Sequence, residues 1–283
     1  MVFLNGQFLP LEEARVPVLD RGFIFGDGIY ELIPVYARRP FRMAEHLARM
    51  QDSLDGIRLA NPYDTDQWKA LIGELIARNP GEDMSVYLHV TRGVAPRDHP
   101  FPQGVPPTVF MMASPLLPPA AELVRDGVAA VTAVDNRWLR CDIKAISLLP
   151  NVLLRQLSVD VGAAETLMLR DGFLSEGSAS NIFVVRDEIL LAPPKSTLML
   201  PGITYDVVLE LAAANGIAHR VREISEFELR SAQEIWLTSS SKEVLAIATL
   251  DGHPVGTGKP GPLFARMFAL YQAYKRDVMR GGT

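Results

Sequence analysis

The 283-residue chain reads as an α+β protein of two unequal halves. Three observations predict this. Apolar side chains make up 48% and charged ones 22%, enough to fill a sizeable core and too apolar for a disordered chain. Short β-prone runs are interspersed with segments whose apolar residues recur every three or four positions. SPLLPPAAE, residues 114–122, holds Pro115, Pro118 and Pro119, which cannot sit inside a helix or a central strand. The domain boundary is placed there, giving halves 1–115 and 122–283.

The elements follow in order. FLNGQFL carries an Asn5-Gly6 hairpin signal between apolar flanks. The first 35 or so residues read as strands, and 30–37 returns through Arg38-Arg39-Pro40 toward Phe41. A helix is expected over 44–59, with Leu47, Met50, Leu54 and Ile57 on one face. A second is expected over 65–78, opening beside Asp64 and Thr65 and aligning Trp68, Leu71, Ile72, Leu75 and Ile76. Strands are expected at 85–91, 108–113 and 127–134. Residues 147–162 read as a helix starting near Pro150. Short strands follow at 166–170, 182–186 and 189–192. A helix over 204–214 closes on Asn215-Gly216, a favourable left-handed pair. Strands at 218–222, 234–238 and 243–249 precede a last helix, 263–279.

Composition removes several function classes. The net charge of −5 argues against a nucleic-acid binder, which needs clustered positive charge. Cys141 is the single cysteine, so no disulfide can form within the chain. The five histidines are scattered with no metal-site spacing, and no metal is expected. The opening MVFLNGQFLP lacks a basic start followed by an apolar run, and no stretch approaches the roughly 18 apolar residues of a membrane span. A cytoplasmic protein is the expectation.

Four segments could carry chemistry, and each has an ordinary structural reading beside it. Only six of the 28 basic residues are lysines. Lys144 stands among apolar positions in RWLRCDIKAISLLP, where an amine can become a nucleophile, or can simply pair with a neighbour such as Asp142. In LPGITYDVV, residues 200–208, Gly202, Ile203 and Thr204 open a helix. Its free N–H groups form either an anion site or a plain Thr N-cap. SEGSASN, residues 175–181, sets Glu176 among small hydroxyl residues, as a fixed carboxylate facing a basic ligand atom or as a polar turn. TSSSKE, 238–243, offers further hydroxyls to a phosphate. The loop TRGVAPRDHPFP, 91–102, holds Arg92, Arg97 and His99, which suit a carboxylate or a solvated surface. Together these are the parts of a pyridoxal-phosphate site: an amine, a carboxylate for the ring nitrogen and a helix N-terminus for the phosphate.

The segments DRGFIFGDGIYE (20–31), VTRG with PRDHPFP (90–102), RWLRCDIK (137–144), EGSASNIF (176–183), LPGIT (200–204) and LTSSSKE (237–243) carry a resemblance. In this order they resemble the class IV, fold-type IV pyridoxal-phosphate aminotransferases, nearest the D-amino-acid aminotransferase branch. The resemblance implies a two-domain fold with pyridoxal 5'-phosphate in the interdomain cleft. It implies that Lys144 bonds the cofactor and shuttles the proton, and that Glu176 pairs with the ring nitrogen. Arg49, Ile203, Thr204 and Ser240 would hold the phosphate, Leu200 would pack on one ring face, and Arg137 would fix the local electrostatics. Tyr30, Arg97 and His99 would trap the substrate carboxylate. The Pro96-Arg97-Asp98-His99 loop distinguishes this branch from branched-chain aminotransferases and aminodeoxychorismate lyases, which remain the alternatives. In the family the loop reaches the neighbouring subunit, which implies a homodimer. The implied reaction is ping-pong transfer from a D-amino acid such as D-alanine or D-glutamate to a 2-oxo acid such as 2-oxoglutarate. Ala179, Pro201 and Tyr205 depart from the pattern.

Overall fold

Asn5 and Gly6 both take positive φ (48° and 90°), the left-handed pair that a two-residue hairpin requires, and so join β1 (Val2–Leu4) to β2 (Gln7–Leu9). The computed structural model describes residues 1–280. Next come α1 (Arg21–Phe25), β3 (Gly28–Tyr36), β4 (Arg39–Pro40), α2 (Met43–Gly56), α3 (Thr65–Arg78), β5 (Met84–Thr91) and β6 (Thr108–Pro115). The strands form one antiparallel sheet in the order β2-β1-β6-β5-β3-β4. Period-2 burial along β5 puts Met84, Val86, Leu88 and Val90 in the core, while Ser85, Tyr87 and His89 point to the other face. Leu47, Met50 and Leu54 of α2 and Trp68, Ile72 and Leu75 of α3 close over that core. Asp64 and Gln67 complete a reciprocal capping box at the start of α3.

Two expectations are corrected in this unit. Residues 21–25 form a helix rather than a strand, because Asp20 caps it through the Gly22 N–H (2.8 Å) and five residues are too few to show a period. Helix α2 stops at Gly56, not 59. Arg58 turns left-handed (φ 55°), and Arg92 takes the Ile57 and Arg58 carbonyls at 2.7 and 3.2 Å.

The second unit contains α4 (Ala121–Asp126), β7 (Val128–Val134), α5 (Leu149–Asp160), β8 (Glu165–Arg170), β9 (Phe173–Gly177), β10 (Asn181–Arg186), β11 (Ile189–Ala192) and α6 (Ile203–Ala214). It ends with β12 (His219–Val221), α7 (Glu226–Arg230), β13 (Glu234–Ser239), β14 (Glu243–Leu250), β15 (His253–Pro254) and α8 (Pro262–Lys275), which runs into a π-helical turn over 276–280. Its mixed sheet runs β12-β11-β10-β13-β14-β7-β8-β9, with β15 on β14. Apolar layers cover both faces of the central strands, so their residues are buried continuously rather than alternately. Ile182, Val184, Ile235 and Leu237 face the cluster that includes Leu229 of α7. Phe183 stacks on Tyr205 of α6 at 5.1 Å, and Trp236 meets Phe264 of α8 at 6.2 Å. The short helices α4 and α7 and the strand β9 carried no periodic signal in the sequence. Among the described residues, no helix is long and apolar enough to cross a membrane.

The chain changes units at Leu117, close to the proline-rich segment, but it also returns. Residues 143–148 belong with the first unit, not with the C-terminal half where Lys144 was expected. The backbone explains the return: Tyr30 N–H donates to the Lys144 carbonyl (2.9 Å), and Ile146 N–H to that of Gly28 (3.1 Å). Gly28 permits this approach, because a Cβ there would press on the Val90 carbonyl and on Ile146.

Candidate active site

In the first unit, Lys144 is fixed by its backbone before its side chain is considered. Its N–H donates to Ser53 Oγ (3.1 Å), and Ala145 bridges to Ile29. The amine then lies 4.0 Å from the centre of the Tyr30 ring, an arrangement favourable to a cation. Asp142, the ordinary partner considered for Lys144, is engaged by Arg140 at 3.0 Å. Tyr30 continues into an aromatic face with Tyr87 (5.8 Å), whose hydroxyl meets His89 Nδ1 (3.0 Å).

One residue along β3, Glu31 points to the opposite face and meets α2. Arg49 donates to both of its oxygens (2.6 and 3.0 Å), and His46 Nδ1 lies 3.0 Å from one of them. Burial opposes a charge on Glu31, but the Arg49 and His46 groups hold its carboxyl well below the usual range. Burial also lowers His46, against the opposing pull of Glu31. Arg49 therefore has a guanidinium plane set by an ion pair that sequence reasoning did not include. His46 and Arg49 stand three apart on one helix, which was the available signal.

Arg97 and His99 are exposed. They gather on Phe25 rather than on Tyr30, with Arg97 Cζ and the His99 ring each 5.5 Å from the Phe25 ring.

In the second unit, Arg137 Nη1 donates to Glu176 Oε1 at 2.6 Å, and the Leu200 N–H donates to Oε2 at 3.2 Å. Arg137 also grips Asp135 through Nε and Nη2, both at 2.9 Å. Arg170 adds a second cation to Asp135 (3.1 Å), and Ser175 donates its hydroxyl (2.9 Å). The two carboxylates are thus unequally served. Burial opposes ionisation of both, but the Arg137 and Ser175 bonds still hold Asp135 at about 2. For Glu176 burial prevails over Arg137, and its carboxyl is pushed up to about 7.

The hydroxyls expected around Glu176 go elsewhere. Ser178 and Ser180 both donate to buried Glu165, Ser180 at 2.9 Å, and Lys242 approaches the same carboxylate at 3.4 Å. Ala179 is exposed between them, so the departure there leaves the Glu176 bonds intact. Tyr205 is a core residue whose hydroxyl donates to the Pro193 carbonyl at 2.8 Å.

Asn181 draws three motifs together. Its Nδ2 holds the Leu200 carbonyl (2.9 Å), its backbone pairs with Thr238 at the end of β13, and its Oδ1 fills the space a Gly202 Cβ would need. LPGIT, SEGSASN and the turn bearing Ser240 are thereby set at one end of the neighbouring strands β10 and β13. Gly202 is the N-cap of α6 and supplies no side-chain bond, so the Ile203 and Thr204 N–H groups keep their dipole end uncapped by a side chain.

Residues 28–250 match the family described as amino-transferase class IV. The chain belongs to that family. This class IV aminotransferase is 38% identical to a D-alanine aminotransferase of Bacillus licheniformis, over 93% of this chain and 92% of that protein. It is 37% identical to one of Staphylococcus aureus strain MW2, over 96% and 97%. Among solved structures it resembles the branched-chain amino acid aminotransferase from Escherichia coli. There the TM-score is 0.89 and the identity 26%, covering 100% of this chain and 95% of that one. The class IV aminotransferase fold expected from the motifs is thus the fold observed.

Proposed function

We propose that this class IV aminotransferase is a D-amino-acid transaminase. It would move the amino group of a D-amino acid, of D-alanine or D-glutamate type, to a 2-oxo acid such as 2-oxoglutarate. The observation that carries this is the greater identity to D-alanine aminotransferases, 38% against 26% for the branched-chain structure at similar coverage. Arg97 and His99 support it as a cation and a donor suited to an α-carboxylate.

The cofactor we propose is pyridoxal 5'-phosphate, and the residues present fit it. A buried carboxyl poised near neutrality suits a basic ring nitrogen. The α6 N-terminus suits a phosphate. Lys144 supplies a primary amine on an aromatic platform. When bound, the cofactor supplies a conjugated ring that delocalises the electron pair left as the substrate α-proton departs. Lys144 Nζ would bond the cofactor at rest and, once released, carry the proton from the substrate α-carbon. Glu176 would keep a proton on the ring nitrogen, with Arg137 fixing the carboxyl plane. The Ile203 N–H and the Thr204 and Ser240 hydroxyls would hold the phosphate together with Arg49. Leu200 would cover one ring face. Tyr30, with the loop of Arg97 and His99 reaching in from a neighbouring subunit, would orient the α-carboxylate so that the α-hydrogen of the D-enantiomer meets Lys144.

We further propose a cytoplasmic homodimer. Leu149, Val152, Leu153 and Leu157 form an exposed apolar stripe on α5, 47–68% accessible, which supports a second copy as its cover.

A half-reaction tests the substrate assignment. Mixing holoenzyme with D-alanine should bleach the visible absorbance of the bound cofactor, while L-leucine should leave it. Bleaching by L-leucine and by no D-amino acid would establish instead the branched-chain reading, which the structural neighbour favours.

A further inference from the structure

Arg21 is 4% exposed, and its guanidinium is engaged on every side. Nε donates to Asp27 Oδ2 at 2.7 Å. Nη1 reaches the Asp98 carbonyl at 2.5 Å and that of Pro100 at 3.4 Å, and Nη2 reaches that of His99 at 3.3 Å. Three successive carbonyls of the 92–102 loop thus converge on one buried cation some 77 residues away in sequence. Asp27 is the hub: the same Oδ2 also accepts Arg92 Nε at 2.8 Å, at the root of the loop. Arg92 in turn stacks on Phe101 at 3.7 Å and so holds the far end. Burial disfavours the Asp27 charge, yet the two guanidiniums keep its carboxyl below the usual range. Phe25 lies under Arg21 (4.8 Å) and carries Arg97 and His99 against its ring.

Within this loop Arg92 is buried and stacks on Phe101, whereas Arg97 and His99 are exposed on their stretch of backbone. The order of that backbone comes from the buried clamp beneath it. A planar fork with five donors can bridge several acceptors at once, whereas an ammonium on a flexible stem cannot hold the same geometry.

We propose that Arg21, locked by Asp27, is a positioning residue that sets the path of residues 98–100. Through Phe25 it would also fix where Arg97 and His99 present themselves to an α-carboxylate. This rests on the reading of Arg97 and His99 as the carboxylate trap. The clamp then controls how tightly the amino donor binds and leaves the hold on the cofactor untouched.

The test is Arg21→Lys in the holoenzyme, beside Arg97→Ala as reference and Asp27→Asn as a second variant should the first fail to fold. Hydrogen exchange of the peptide spanning 94–101 should accelerate about tenfold in Arg21→Lys, with exchange elsewhere unchanged. The KM for D-alanine should rise about tenfold, with kcat within about twofold and the visible absorbance of bound cofactor retained. Unchanged exchange would overturn the clamp, and faster exchange with an unchanged KM, where Arg97→Ala raises it, would overturn the clamp's control of donor binding. If Arg97→Ala leaves the KM alone while Arg21→Lys still loosens the loop, the carboxylate reading itself is what fails.

Discussion

At the scale of single residues, Glu176 and Asp135 show how one cation can be divided unevenly. Arg137 touches both, but Asp135 also has Arg170 and Ser175, so it keeps its charge while Glu176 stays close to half-protonated near pH 7. The consequence for stability has a definite sign. The usual value for Glu176 is 4.5, and its folded value is about 7, so across that interval the folded chain binds the extra proton. Stability of the cofactor-free protein should therefore fall as pH rises from 4.5 through 7, by an amount on the order of 3 kcal/mol from this group. Glu176→Gln should flatten that part of the profile, which urea melts of the cofactor-free protein at several pH values would measure. An identical slope in the variant would remove Glu176 as the cause. The sequence made Glu176 and Lys144 visible as candidates, because each stood alone in its segment. It did not show Asp135, Arg170 and Ser175 gathered beside the Arg137–Glu176 pair, since nothing local marks residues such as Ser175 and Asp135 that meet from about 40 positions apart.

Elements longer than about ten residues were legible because burial repeats along them. The helices α2 and α3 each present an apolar face whose spacing is written in the chain. Helix α1, five residues long, was not legible, and it is the element that bears Arg21 and Phe25. The start of α6 offers a test at this scale. A Cβ at Gly202 would collide with Asn181 Oδ1, whose amide also holds the Leu200 carbonyl. Gly202→Ala should shift the first turn of α6 and weaken pyridoxal 5'-phosphate binding about tenfold, with a stability loss of roughly 1–3 kcal/mol. Equilibrium dialysis and thermal melts would separate the two effects. Undiminished affinity would mean that the phosphate is seated elsewhere.

For the molecule as a whole, chain order and unit order differ. Lys144 is stitched to β3 in the first unit, while Arg137, only seven residues earlier, is buried in the second beside Glu176. Proline content carries no sign of this return, because 143–148 joins its unit through backbone bonds rather than through composition. Assembly is also decided at this scale. Leu153 is 61% exposed in the middle of the α5 stripe, and placing a charge there should oppose a second copy. Leu153→Glu should sediment as a monomer where the parent protein sediments as a dimer. Equal sedimentation of the two would exclude α5 from the interface.

The sequence by itself determined the class of chemistry and most of the long elements. A scarce lysine, an isolated glutamate, a helix-opening LPGIT and an arginine–histidine loop are local facts, and side-chain periodicity is a local record of burial. Only the tertiary structure decided which groups those residues meet. It gave Ser178 and Ser180 to Glu165, paired Arg49 with Glu31, and set the backbone of residues 98–100 on Arg21. The reason is physical: a buried polar group takes whichever partner the fold brings within about 3 Å, and that partner is chosen by contacts between distant parts of the chain.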